Sequence, residues 1–487
     1  MHEVSLFPQP DARARRVFLL RLCLVVALVT MCLTVTQLMP GRAPFRPAWG
    51  RTPTATPLHG DILYRLSQHL KRHPAGWHEA LGLNAHDMLQ SAIASYERLA
   101  LTADDPSTTA MYRLAIIYAK QRFPQQSLEL LSRLVMLDEE NAPLYFAVSS
   151  VYDTAPVKRE DLQKLAPLLG RRHDWVARMV AVDWHRRMGM AGEAADDRAL
   201  IARQNSIFCT AFVTVAAIYA LLGLTGLVLL AGIAWRKLFR APAAPVAKPP
   251  LITTWGPFDA VEAAAVLLAC MVVAGVLSNG AMRTWRIEAT APGVVPVLAM
   301  ASYLLFCAPV LVLIWYRAGR SRGAMRALGF AEPVGLQPAL YGLAGYAVLL
   351  ALAAILSVAV GLTGQGQFPV AAQSVIELVQ KAHGAPQIAV YLVLLCVIAP
   401  VVEETVFRGF VYAGLRRRFG ALLAIPLSAL LFGLAHLSLA IGGMLAVSVI
   451  GALLAYLYER SRTLWPSIIA HGVHNLLTVS IVIAGSI

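Results

Sequence analysis

The chain is 487 residues long, 57% hydrophobic and only 14% charged, with a mean hydropathy of +0.60. Soluble domains carry roughly 45–50% apolar and about 25% charged residues, so the composition excludes an ordinary soluble protein and points to an all-α, polytopic membrane helix bundle with a soluble insert. The net charge of +14 does not indicate nucleic acid, because the Lys and Arg residues stand in short groups beside the apolar runs, where membrane topology places them.

A span needs about 20 mainly apolar residues, and nine candidates follow in chain order. The first, 17–39, shows no small-x-small cleavage site before Pro40. It reads as an uncleaved anchor over 1–40 rather than a signal peptide. Residues 41–205 hold most of the Asp, Glu and His, and their apolar residues recur at helical spacing, as in Met111, Leu114, Ala115, Ile117 and Tyr118. Tyr118 and Tyr152 stand 34 residues apart with Leu114 and Val148 in register, which is the tetratricopeptide period, a helix pair that stacks into a concave surface. The plainer reading is a small irregular helical domain; either makes 41–205 a docking module for a protein substrate or partner. Arg171, Arg172 and His173, then Arg186 and Arg187, read as solvated helix faces.

The second span, 207–235, occupies a segment 206–236, and a linker follows over 237–255. Its stretch Ala241 to Pro250 is too rich in proline to continue a helix. The third to ninth spans, 258–280, 291–316, 337–363, 387–413, 421–440, 442–458 and 464–486, make a second domain over 256–487. The seventh and eighth form a tight hairpin, since only Ala440 to Gly443 joins them.

Arg13, Arg15 and Arg16 before the first span place the N-terminus in the cytoplasm. The loops after spans two, four, six and eight should then be cytoplasmic, and they hold Arg236, Lys237 and Arg240, then Arg317, Arg320, Arg322 and Arg326, then Arg416 to Arg418, then Arg460 and Arg462. The opposite loops are poorer in basic residues. Residues 41–205 are thereby extracytoplasmic, in a multi-pass membrane protein. All six cysteines lie in apolar runs without CxxC spacing, so neither a disulfide framework nor a cysteine metal site is indicated.

Three polar clusters stand out in the last four spans, where ionisable residues are costly and mark function by default. In the sixth span Glu404 and Arg408 are i,i+4 and share a helix face, so they neutralise one another. Glu403 is rotated about 100° away, and its charge must be met from elsewhere in the bundle. Pro400 removes a backbone donor, so a kink and a freed carbonyl are expected behind it. In the seventh span Phe432 lies one turn before His436 and packs over its imidazole. In the ninth, His471 and Asn475 share a face, with His474 beside Asn475 as a packing residue.

The residue types suit hydrolysis. A carboxylate in an apolar site serves as general base toward water, and a neutral His and an Asn amide are donors for a tetrahedral oxyanion. The assignment is Glu403 as base, His436 as the group that orients or activates water, and His471 with Asn475 as oxyanion donors. Glu404 and Arg408 form a structural brace. The rival assignment holds a divalent metal such as zinc on Glu403, His436 and His471, since two His and a carboxylate form a catalytic zinc set; the H-E-x-x-H helix is absent.

Glu403-Glu404-Thr-Val-Phe-Arg408, Phe432-Gly-Leu-Ala-His436 and His471-Gly-Val-His-Asn475 resemble the three diagnostic motifs of the CAAX protease and bacteriocin-processing (CPBP, or Abi) intramembrane proteases. The resemblance covers about residues 256–487. It implies a glutamate-dependent, metal-assisted or metal-free endopeptidase with its active site at Glu403, His436, His471 and Asn475. The expected substrate is a membrane-associated or secreted protein, docked through the insert. The alternative is a non-catalytic membrane adaptor or bacteriocin-immunity protein on the same fold. A transporter is disfavoured because the clusters have no counterpart in an inverted repeat.

Overall fold

The computed structural model describes residues 58–72, 84–101, 106–153, 159–163, 165–169, 175–239, 253–284, 294–319, 322–330, 334–362, 385–436 and 441–486. The expected first span, 17–39, and most of the linker lie outside them. Every regular element among the described residues is helical. The chain divides into two compact units, one built on Pro53–Ala217 and one on Ile218–Val479.

The first unit contains α1 (Leu58–Arg72), α2 (Ala85–Leu101), α3 (Thr108–Lys120), α4 (Pro124–Leu137), α5 (Ala142–Tyr152), the short α6 (Arg159–Gln163) and α7 (Ala166–Leu169), α8 (Trp175–Arg187) and the start of α9 (Ala191–Phe239). Helices begin at Thr108, Ala142 and Trp175, 34 and then 33 residues apart. The register continues one period further than the pair of tyrosines shows: Leu114, Val148 and Val182 are all buried. Tyr118 and Tyr152 do equivalent work, each donating to a carboxylate of a neighbouring helix, Glu97 and Asp183 respectively. Arg187 departs from the solvated role expected of it, because it reaches back to the carbonyls of Val151 and Asp153.

Burial of charge ties α1 into this unit. Asp61 accepts from Tyr96 and pairs with Arg113. Fully buried Arg65 donates to Asn205 Oδ1 at 3.0 Å and lies 4.2 Å over the Phe208 ring. Desolvation pulls the Arg65 guanidinium down to about 10, opposed by Asp61.

The second unit holds the rest of α9, then α10 (Pro257–Thr284), α11 (Val294–Arg317), α12 (Arg322–Leu328) and α13 (Leu336–Leu362). They are followed by α14 (Ala385–Val393), a π-helical turn (Leu394–Ile398), α15 (Ala399–Glu404), a second π-helical stretch (Thr405–Tyr412), α16 (Ala413–Leu434), α17 (Ile441–Ser461) and α18 (Trp465–Ser486). Among the described residues six helical stretches are long and apolar enough to cross a membrane: Ala191–Arg236, Ala299–Arg317, Leu336–Ile355, Pro386–Leu434, Gly443–Ser461 and Trp465–Ile483. The protein is a multi-pass membrane protein.

The expected boundary near residue 205 falls inside α9, which runs unbroken. The expected sixth and seventh spans form one stretch, Pro386–Leu434, interrupted at Gly420, whose φ of 70° and ψ of 173° are not helical. Glycine reaches that backbone region without a Cβ penalty, so the two arms part there. The expected third span coincides with α10, which is not among the six.

The polarity is that of a protein in lipid. Leu305, Val312 and Leu422 are exposed while Glu404 and Arg408 are buried. Basic residues gather at one end of the bundle: Arg416 and Arg462 both pair with Glu459, and Arg317 pairs with Asp259 and Glu262. Arg417 donates to the carbonyls of Thr253 and Trp255 beside them.

Asp61→Asn removes the charge that Arg113 and Tyr96 meet. It should lower the stability of the first unit by about 3–5 kcal/mol, the cost of breaking a buried pair from one side. Limited proteolysis of the full-length protein against temperature measures this, with cleavage appearing in the first unit before the second.

Candidate active site

The site is built around the i,i+4 pair of α15 and the π-helical stretch after it. Arg408 Nη1 donates to Glu404 Oε1 at 2.8 Å, with side chains 1% and 0% exposed. Such a pair costs desolvation on both partners and persists only when further hydrogen bonds complete it. Two are present: Arg408 Nη2 donates to the Gly451 carbonyl of α17 at 3.0 Å, and His471 Nδ1 of α18 lies 2.9 Å from Glu404 Oε1. Glu404 Oε2 is buried without a partner. The Arg408 guanidinium also lies 4.3 Å from the centroid of the Phe432 ring, a cation–π contact of the kind that strengthens on desolvation.

Phe432 is the hub that brings the three motifs together. Its ring meets Phe407 at 5.1 Å, His436 at 5.0 Å and His471 at 5.8 Å, all edge to face. His436 Nδ1 sits 2.9 Å from the Phe432 carbonyl. A carbonyl only accepts, so Nδ1 carries the proton in the neutral ring and Nε2 presents a lone pair. The same logic fixes His471: Nδ1 donates to Glu404, and Nε2 faces Glu403 Oε2 at 3.9 Å.

Glu403 is 21% exposed, unlike its buried neighbour. Its Oε1 accepts from Tyr303 of α11 at 3.2 Å. Cys307, one turn further along α11, hydrogen-bonds Tyr303 and adds a buried thiol to this wall. Neither residue is singled out by the sequence. The signal available is a polar pair at i,i+4 in an otherwise apolar span, which is weak because tyrosine and cysteine are common in such spans.

Asn475 is placed by Pro400. The helix is π-helical over 394–398, where residue i+5 donates to residue i. Pro400, five residues after Leu395, has no N–H to give. Asn475 Nδ2 donates to the Leu395 carbonyl at 2.7 Å instead. A Cβ on Gly472 would stand 2.7 Å from the Cys396 carbonyl, so only glycine lets α18 lie this close to the widened turn. The second amide hydrogen of Asn475 stays available to a ligand. His474 turns the other way, 3.3 Å from the Tyr346 hydroxyl, which agrees with its reading as a packing residue.

Among the described residues no three His, Cys, Asp or Glu side chains stand close enough together to hold a metal ion, while the bonds at Nδ1 leave Nε2 as the free ring nitrogen of both His471 and His436.

Residues 385–477, which contain all three motifs, match the family described as "Type II CAAX prenyl endopeptidase Rce1-like". They form an Rce1-like domain. That is the CPBP family whose motifs the sequence resembles. The chain is also similar to the "Putative membrane peptidase YdiL" of Bacillus subtilis (strain 168), 24% identical over 107 residues, or 22% of this chain and 41% of the relative. The similarity thus spans less than half of that relative's length. No solved structure matches the chain.

The geometry separates the adjacent glutamates. Glu404→Gln leaves Arg408 buried and uncompensated, so thermal stability should fall by about 3–5 kcal/mol. Glu403→Gln should leave the melting temperature unchanged. Differential scanning fluorimetry of the two purified variants in detergent distinguishes the buried, paired carboxylate from the partly exposed one.

Proposed function

We propose that the Rce1-like domain is an intramembrane endopeptidase that hydrolyses a peptide bond of a membrane-associated or secreted protein, with Glu403 as general base. The observation that carries this reading is the 3.9 Å separation between Glu403 Oε2 and His471 Nε2. It is too long for a direct hydrogen bond, and a water bonded to both atoms at about 2.8 Å spans it. Such a water donates one hydrogen to each acceptor and points its lone pairs away from both. Glu403 takes the proton as the oxygen attacks the carbonyl carbon; Tyr303 holds the carboxylate during the step. The proton on Glu403 then passes to His471 Nε2, which donates it to the oxyanion and delivers it to the leaving amine as the C–N bond breaks, so that both residues return to their starting states. Asn475 supplies its free amide hydrogen as a second oxyanion donor. His436, with Nδ1 on the Phe432 carbonyl, orients water or substrate through Nε2.

The first unit is the docking module. Its helix starts and buried register support a tetratricopeptide-like stack, which presents a concave surface to extended chains. The gathering of Arg317, Arg416, Arg417 and Arg462 at one end supports a cytoplasmic face there, with the N-terminus cytoplasmic and residues 41–205 extracytoplasmic in a bacterial inner membrane. Gly451 and Glu459 are about 12 Å apart along α17 at about 1.5 Å per residue. In a core about 30 Å thick the reaction centre therefore lies near mid-depth.

The test is substitution of Glu403→Gln, His436→Ala and His471→Ala in cells, with membrane and secreted proteomes compared for a precursor that accumulates. Loss of the base should slow processing by about 10²–10⁴-fold at unchanged protein abundance. If every terminus in the proteome is the same in all three variants, the membrane-adaptor or immunity reading of the same fold takes its place. Chelation by 1,10-phenanthroline should leave the processing rate in isolated membranes unchanged; its loss, restored by zinc, would reinstate the metal set on Glu403, His436 and His471.

A further inference from the structure

The first unit contains a cavity of about 690 Å³ that the reaction centre does not use, within the roughly 300–1,000 Å³ typical of ligand pockets. Its apolar floor is a stacked pair, Tyr64 and Trp175, with centroids 5.1 Å apart and both rings buried. Its cations come from four helices: Lys71 and Arg72 at the end of α1, Lys120 at the end of α3, Arg186 at the end of α8, and Arg198 in α9. No aspartate or glutamate is among the lining residues. Asp183, outside the lining, pairs with Lys120 and lies 3.6 Å from Arg186, so it offsets part of this charge only.

Cations in the last turn of a helix are favourable on their own account, which would explain Lys71, Arg72 and Arg186 singly. It does not explain their convergence on one concavity with Arg198, which lies well inside α9. Burial lowers the Lys120 ammonium and Asp183 opposes the shift; an added anion acts in the same sense as Asp183.

We propose that this cavity binds an acidic peptide segment, with an apolar side chain seated on Tyr64 and Trp175 and its flanking carboxylates met by Lys71, Arg72, Arg186 and Arg198. Charge complementarity selects the peptide, and the aromatic floor distinguishes it from a bare phosphate or a lipid headgroup. The proposal deepens the docking role given to the first unit and rests on that reading, but the binding itself does not depend on hydrolysis.

The test uses full-length protein in detergent and fluorescence anisotropy with a short labelled peptide of glutamates flanking a leucine. The expected result is saturable, salt-sensitive binding that weakens about tenfold or more, as loss of charge-assisted contacts does, when the glutamates become glutamines. The same loss is expected for Arg72→Glu and for Arg198→Glu, whose side chains are exposed and whose substitution should leave the circular dichroism spectrum unchanged. Trp175→Ala tests the floor and Glu403→Gln separates the two readings, since it should retain peptide binding while it blocks processing. Equal affinity for the glutamine peptide, or affinity unmoved by both charge reversals, overturns the proposal. So does saturable binding of dihexanoyl-phosphatidylglycerol, lost in the reversal variants, without any binding of the peptide.

Discussion

The membrane unit depends on keeping one carboxylate and one guanidinium inside an apolar bundle. Transfer of either ion alone into low dielectric costs several kcal/mol even after relaxation, so Glu404 and Arg408 dictate what their neighbours are. The Gly451 carbonyl, the Phe432 face and His471 Nδ1 each meet a part of the pair that the other partner leaves open. These come from α17, α16 and α18, so satisfying the pair also fixes three helices against the fourth. The geometry of the candidate site is a by-product of that closure. Because Glu404 holds one nitrogen of His471, the other nitrogen is presented to Glu403.

A regular α-helix would not provide this arrangement. Regular i,i+4 bonding satisfies every backbone group and leaves nothing for a neighbour to bind. Pro400 and the π-helical turns on either side of α15 disturb that self-sufficiency at the depth of the site. The carbonyl of Leu395 then needs an external donor, and Asn475 provides it. One consequence is that α18 is registered against the π-helical turn before α15 by a backbone defect rather than by side-chain packing alone. The residue one turn before Asn475 is His471, so the same contact sets the height of the imidazole.

Much of this arrangement is legible in the sequence because it obeys helical phase. The spacing of Glu404 and Arg408 pairs them, the offset of Glu403 sends it elsewhere, and Pro400 announces a freed carbonyl. In the first unit the 34-residue interval between Tyr118 and Tyr152 becomes a register that extends to Val182. What is not legible is partnership between helices. Tyr303 meets Glu403 across about a hundred positions of sequence, and a tyrosine in an apolar span carries no mark of its partner. That Glu404, read as a brace for Arg408, also holds His471 is hidden for the same reason. The count of spans is blurred at Gly420, where a single residue with positive φ joins two arms that hydropathy treats as separate.

On the proposed reading, mid-depth placement constrains what the site accepts. A segment crossing lipid keeps its backbone hydrogen bonds internal, and a helical peptide bond is shielded from an attacking water by its own side chains. Hydrolysis near the centre of the core therefore requires substrate whose local helix is already broken, or a bundle that offers replacement partners for the freed backbone groups. Asn475 already serves a freed backbone carbonyl there and Tyr303 a carboxylate, and Glu403 is partly exposed where Glu404 is buried. On the proposed reading, recognition of the remainder of a substrate falls to the helical unit, whose cavity combines basic residues with an aromatic floor.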